Sequence, residues 1–142
     1  MLSNTGAYAL RAVIYLARHE GEGPVRVDDV AAALEVPRNY LSKVLHALVK
    51  DGALGSHRGP AGGYQLAVPA SQLTLERVLA PFDAIDGRRS CLLRDGECDE
   101  ANPCALHDRW AGVATGVAAF FRDTVLEDVV RDAEQVEAIL GQ

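Results

Sequence analysis

Three cysteines and a histidine crowd one stretch of the chain: Cys91, Cys98, Cys104 and His107, with six, five and two residues between them. Thiolate sulfur and imidazole nitrogen are the ligands that soft and borderline metals take from proteins, so the chemistry open to this set is metal binding. Two products fit the set equally. Three thiolates and one imidazole can hold an iron–sulphur cluster, because imidazole can replace thiolate on one iron, and neither [2Fe–2S] nor [4Fe–4S] is favoured. The same four residues can close a tetrahedral zinc site. The plain alternative is three unrelated thiols beside a surface histidine. An odd cysteine count argues against a disulfide framework. Asn102-Pro103 predicts a cap and first-turn proline. Cys104 would then sit in the first turn of a helix, where free N–H groups stabilise a thiolate, with His107 facing the same way. A small metalloenzyme is the reading from another class, but no nucleophile or general base accompanies the set.

A second constellation lies upstream. Asn39, Lys43 and His46 recur at i, i+4 and i+7, and Arg38, Ser42 and Lys50 extend the same polar face. These types suit nucleic acid. Asn can bond adenine bidentately, Arg or Lys can bond guanine, and Ser can bond base edges or phosphate. Two cations on a solvated helix face are equally common without any such role. A further cluster, His57-Arg58-Gly59, precedes more glycine, where a backbone without Cβ can approach a phosphate or the minor groove.

Helical and strand elements must position these groups. Apolar spacing predicts a first helix over 3–19, a second over 27–34 and a third over 38–50, the last burying Leu41, Val44, Leu45 and Leu48. Residues 53–68 change character to two short alternating runs around a Gly/Pro-rich turn, which is a β-hairpin. Three short helices and a hairpin give a winged helix-turn-helix over 25–68, with the third helix sized for the major groove. Thr74 caps a fourth helix, residues 84–102 read as a loop, and a long helix follows from 103 to about 122. Its apolar face is Leu106, Trp110, Val113, Val117 and Phe120 or Phe121, and Gly112 and Gly116 permit close helix approach. Thr124 and Glu127 fit a capping box opening a last helix to about residue 140.

The fold class is therefore mainly α with a small β-hairpin wing, plus a long C-terminal dimerisation helix. The expected units are a DNA-binding domain over 1–83, a cysteine-bearing sensor loop over 84–104 and a helical dimerisation region over 105–142. A homodimer on a palindromic operator in double-stranded DNA is favoured, because one short winged helix reads little sequence. The net charge of −6 is uneven: residues 1–69 carry seven Lys/Arg against six Asp/Glu, and residues 70–142 carry seven against fourteen. DNA contact must therefore come from local clustering of charge. No apolar run approaches the roughly 18 residues of a membrane span, and no signal peptide is visible, so a cytoplasmic protein is expected.

Arg58-Gly59-Pro60-Ala61-Gly62-Gly63-Tyr64-Gln65-Leu66 resembles the wing signature of the bacterial Rrf-two family, which includes the IscR, NsrR, RirA and CymR regulators. Gly6-Ala7-Tyr8-Ala9-Leu10-Arg11 is similar to that family's first helix, and Arg38-Asn39-Tyr40-Leu41-Ser42-Lys43-Val44 resembles its recognition helix. The resemblance covers nearly the whole chain. It implies a dimeric winged-helix transcription regulator, read as a repressor and not an enzyme, of iron, sulphur, nitric-oxide or redox genes. It also implies an iron–sulphur cluster on Cys91, Cys98 and Cys104. The fourth ligand in one branch matches His107, with Asp108 adjacent; the position other branches use matches Ala7, which cannot ligate. The first cysteine gap is one residue longer than in the IscR branch, and the recognition helix is closer to the nitric-oxide-sensing branch. Some members carry no cluster and respond through thiols or a partner protein.

Overall fold

The structure, a computed structural model, describes residues 2–85 and 91–131 together with Ala138 and Leu140. Among these, the elements run α1 (Asn4–Arg18), α2 (Val27–Leu34), α3 (Arg38–Asp51), β1 (Leu54–His57), β2 (Gly63–Leu66), α4 (Leu75–Leu79), α5 (His107–Asp123) and α6 (Leu126–Val130). Local chemistry sets most boundaries. Ser3 caps α1 by accepting from the Gly6 N–H at 2.9 Å, and Thr74 caps α4 by accepting from the Arg77 N–H at 3.2 Å. Asp28 and Asp29 occupy the first turn of α2, where the helix dipole favours them. Gly52, at φ 89°, ends α3 in the left-handed conformation that glycine adopts freely.

The first three helices bury the stripes their spacing predicts. Val13 and Leu16 of α1, Val30 and Leu34 of α2, and Leu41, Leu45 and Leu48 of α3 form one core, closed by Leu54, Leu73, Val78 and Leu79. The C-terminal part returns to this core through Phe121, Leu126 and Leu140. Backbone bonds reinforce the return: the Leu75 N–H donates to the Thr124 carbonyl at 3.0 Å, and the Leu126 N–H to the Leu73 carbonyl at 2.9 Å.

The hairpin pairs β1 and β2 antiparallel, from Leu54 opposite Leu66 to His57 opposite Gly63. Val25 pairs with β2 as well, in an isolated antiparallel bridge: its N–H donates to the Tyr64 carbonyl at 2.8 Å and its carbonyl accepts from the Tyr64 N–H at 2.7 Å. Gly63 permits this approach, since a Cβ there would run into the Val25 carbonyl.

Two expectations need correction. The long helix begins at His107, not at residue 103. Asn102 does not cap it: the segment turns on itself instead, with the Ala101 N–H donating to Asp99 Oδ1 at 2.8 Å and Arg94 donating to the Asn102 carbonyl at 3.2 Å. A side-chain-closed turn competes with helix initiation there. Cys104 therefore precedes the helix, and the first-turn argument for its thiolate fails. The last helix starts at Leu126 rather than just after Thr124: Val125 is the cap residue, and its N–H donates to Asp128 Oδ2 at 3.3 Å. Most of that helix's expected remainder, residues 132–137 and 139, lies outside the described residues, as do residues 86–90 of the expected loop.

Candidate nucleic-acid interface and cysteine segment

α3 turns its apolar stripe inward and leaves Arg38, Asn39, Lys43, His46 and Lys50 exposed, with Ser42 half-buried. Arg38 is already engaged: its Nε lies 2.6 Å from Asp28 Oδ1 across the α2–α3 turn. Both partners are more than half exposed, so the pair is worth only about 0–1 kcal/mol and a phosphate can displace it. The wing stands against the same helix, with Tyr64 Oη of β2 lying 3.5 Å from His46 Nδ1. His57 Nε2 and Gln65 Nε2 are 2.9 Å apart on the hairpin. Arg58 and Gly59 lie exposed at its tip, where Gly59, at φ 101°, accepts from the Gly62 N–H at 2.9 Å. A Cβ on Gly62 would meet the His57 carbonyl, so both glycines shape the tip that presents Arg58.

Sequence reasoning passed over three side chains that build this surface: Tyr40, Tyr64 and Gln65. Tyr40 Oη bonds Thr5 Oγ1 at 2.8 Å, and its ring stands edge-on to Tyr8 with centroids 5.7 Å apart. The available signal was a tyrosine bordering the apolar stripe of an otherwise polar face, since a half-buried phenol needs a polar partner.

The cysteine segment is only partly assembled. Cys91 Sγ lies 3.9 Å from Cys104 Sγ, and none of the three cysteines forms a disulfide. The backbone N–H of Leu93, and less strongly that of Arg94, hold the Cys91 thiol below its usual value of 9.0, against a smaller upward push from burial. The Cys104 thiol and the Arg94 charge act in the same downward direction. His107 opens α5, and its N–H donates to the Cys104 carbonyl at 3.0 Å. Among the described residues no three His, Cys, Asp or Glu side chains converge as a metal site. The structure thus brings Cys91 and Cys104 together and does not gather Cys98 and His107 into one ligand group with them.

Residues 2–132 match the family model Rrf2, described as an iron-dependent transcriptional regulator. The chain belongs to the Rrf2 family. It is 31% identical over 137 residues to the HTH-type transcriptional regulator IscR of Photorhabdus laumondii, covering 96% of this chain and 82% of that protein. Identity to IscR of Yersinia pestis is 30% over the same length and coverage. Among solved structures, CymR, the global cysteine regulator of B. subtilis, matches with a TM-score of 0.79 at 27% identity, over 92% of this chain and 96% of that one. IscR of T. potens shares the fold, with a TM-score of 0.76 at 24% identity, over 95% of this chain and 89% of that one. The Rrf2 relatives are transcriptional regulators, not enzymes, which removes the metalloenzyme reading. No described helix is long and apolar enough to cross a membrane.

Proposed function

We propose that this Rrf2 regulator is a cytoplasmic homodimeric repressor in which residues 1–83 read a palindromic operator, 84–104 sense and 105–142 dimerise. One observation carries the DNA half: the exposed polar face of α3 stands beside a wing whose glycines present Arg58. Lys43, Asn39 and His46 would face base edges, Arg38, Ser42 and Lys50 the flanking backbone, and His57, Arg58 and Gly59 the neighbouring phosphates or minor groove. The test uses a duplex that the wild-type protein selects from a random-sequence pool. Lys43→Ala and Arg58→Ala should each weaken binding by about five- to twentyfold; Lys43→Ala should relax specificity at the base it faces, and Arg58→Ala should reduce the salt slope by about one phosphate contact. Unchanged affinity in both variants would overturn the assignment.

Cys91, Cys98, Cys104 and His107 would hold an iron–sulphur cluster, which when bound supplies metal–thiolate bonds sensitive to iron, redox or nitric-oxide status. The Cys91–Cys104 pair supports this set. Two thiolates on one tetrahedral metal at 2.3 Å lie about 3.8 Å apart, close to the 3.9 Å observed. Zinc would satisfy the same spacing. Completing the set requires Cys98 and His107 to approach that pair. Leu92 and Leu93 beside Cys91 are 57% and 59% exposed, so burial of these two side chains does not oppose such an adjustment. Ordering of this segment would then accompany ligation. The same sulfur pair favours a second reading, a thiol switch in which an oxidant takes two electrons as Cys91 and Cys104 lose their protons and join in a disulfide. CymR of Staphylococcus aureus, 26% identical, has been solved in an oxidised form.

A further inference from the structure

The N-terminus of α1 receives a side chain from far along the chain. Asp83, just past α4, accepts from the Ser3 N–H at 3.1 Å and from Ser3 Oγ at 3.1 Å. Ser3 Oγ in turn accepts from the Gly6 N–H at 2.9 Å, so the hydroxyl is used in both directions. The carboxylate sits at the positive end of a 15-residue helix, where it is favoured. Gly6 makes room for it. A Cβ on Gly6 would collide with Asp83 Oδ2, which gives a reason for a glycine inside a helix that would otherwise prefer alanine.

In the same turn, Thr5 Oγ1 bonds Tyr40 Oη at 2.8 Å. Tyr40 belongs to the first turn of α3, between Asn39 and Lys43. Leu41, Leu45 and Leu48 of α3 and Val13 and Leu16 of α1 belong to one apolar core. Apolar contacts of this kind are non-directional, whereas an O–H···O bond is directional. Two polar contacts therefore share the first turn of α1, Asp83–Ser3–Gly6 on one side and Thr5–Tyr40 on the other, joined through the helix backbone, and the second ends beside the base-reading residues.

We propose that Asp83 and Tyr40 are positioning residues for DNA recognition, with Asp83 fixing the end of α1 and Tyr40 fixing the reading helix to it. Asp83 stands eight residues before Cys91 in the chain, so a change in the cysteine segment can shift the clamp and, through it, α3. Signal transfer along this path rests on the sensor reading above; the positioning role does not.

The test uses the full chain and the selected palindromic duplex. Asp83→Ala and Tyr40→Phe should each weaken binding by about three- to tenfold, the order of magnitude expected for losing one or two exposed or part-buried hydrogen bonds. The double variant should be no weaker than the worse single, because both act on one path. Gly6→Ala should weaken binding in the wild-type background and have no effect beside Asp83→Ala, where no carboxylate remains to collide. Ser3→Thr keeps the hydroxyl and should bind as wild type. Full affinity in both single variants, losses that multiply, or a Gly6→Ala effect that persists without Asp83 would overturn the positioning role. For signal transfer, the change in wild-type affinity on diamide treatment or cofactor removal should shrink in Asp83→Ala while the Cys91 alkylation rate is unchanged. An equal response in both proteins overturns the path. A wild type that responds to neither treatment overturns the sensor reading and with it the signal transfer, while the affinity cycle still decides the positioning role.

Discussion

At Cys91 the acidity of a thiol is set by backbone geometry more than by charge. The Leu93 N–H is the largest downward influence, with Arg94 and the Cys104 thiol adding to it. A lowered value means that thiolate is present at lower pH than in the unfolded chain. The stabilisation from these contacts is then full above the unfolded value of 9.0 and fades as pH falls through the folded one. Iodoacetamide labelling of Cys91, followed by peptide mass mapping, should reach half its plateau rate below pH 9.0. Cys104→Ala should move that midpoint upward by removing one hydrogen bond. A midpoint at or above the unfolded value would contradict the geometry. At the same scale, Lys43 and His46 were legible as a polar helical face from spacing alone. The engagement of Arg38 by Asp28 was not, because the two residues are ten apart and meet only when α2 and α3 turn on each other.

Among elements, α5 differs from the rest. Of its described side chains only Phe121 is buried, while Val113 and Phe120 are 57% and 55% exposed. With Leu106 they recur every seven residues, a single apolar seam along a 17-residue helix. Among the described residues, nothing beyond the helix's own backbone and the chain neighbours lies within 4 Å of where a Cβ on Gly112 or Gly116 would be. An exposed seam of this kind is what a second copy would cover in a twofold dimer. Val113→Asp with Phe120→Asp should convert a dimer to a monomer in light scattering at micromolar concentration. The melting of the protomer core should change little, because neither side chain belongs to it. A wild-type monomer, or a doubly substituted dimer, would refute this. The helix was legible in the sequence through its periodicity, but its start was not. Asn102-Pro103 has the residues of a cap, and the Asp99 turn and Arg94 contact that displace it depend on loop geometry rather than on propensity.

Across the whole molecule the charge is divided, with near balance in residues 1–69 and the acidity after them. This suits a protein that meets DNA with its N-terminal half and carries its acidic residues elsewhere. Protein purified without oxygen should be coloured and contain iron and sulphide if the cysteine segment carries a cluster, and Cys98→Ala should bleach it. Colourless protein with stoichiometric zinc would replace that reading with the zinc one. Metal-free protein whose operator affinity changes on oxidation, with a Cys91–Cys104 cross-link in its peptide map, would establish the thiol switch.

Helix periodicity, turn glycines and the order of elements are local properties, and these the sequence determined by itself: the winged helix, the polar face of its third helix and the family that both resemble. The tertiary structure decided which groups meet. It set the 3.9 Å approach of Cys91 to Cys104 while leaving Cys98 and His107 outside one ligand group, placed the wing's Tyr64 against His46, and brought Asp83 to the end of α1 beneath Gly6. Each of these contacts joins residues distant in sequence or separated by an irregular loop. No periodicity encodes them, and they exist only once the apolar core has fixed the helices relative to one another.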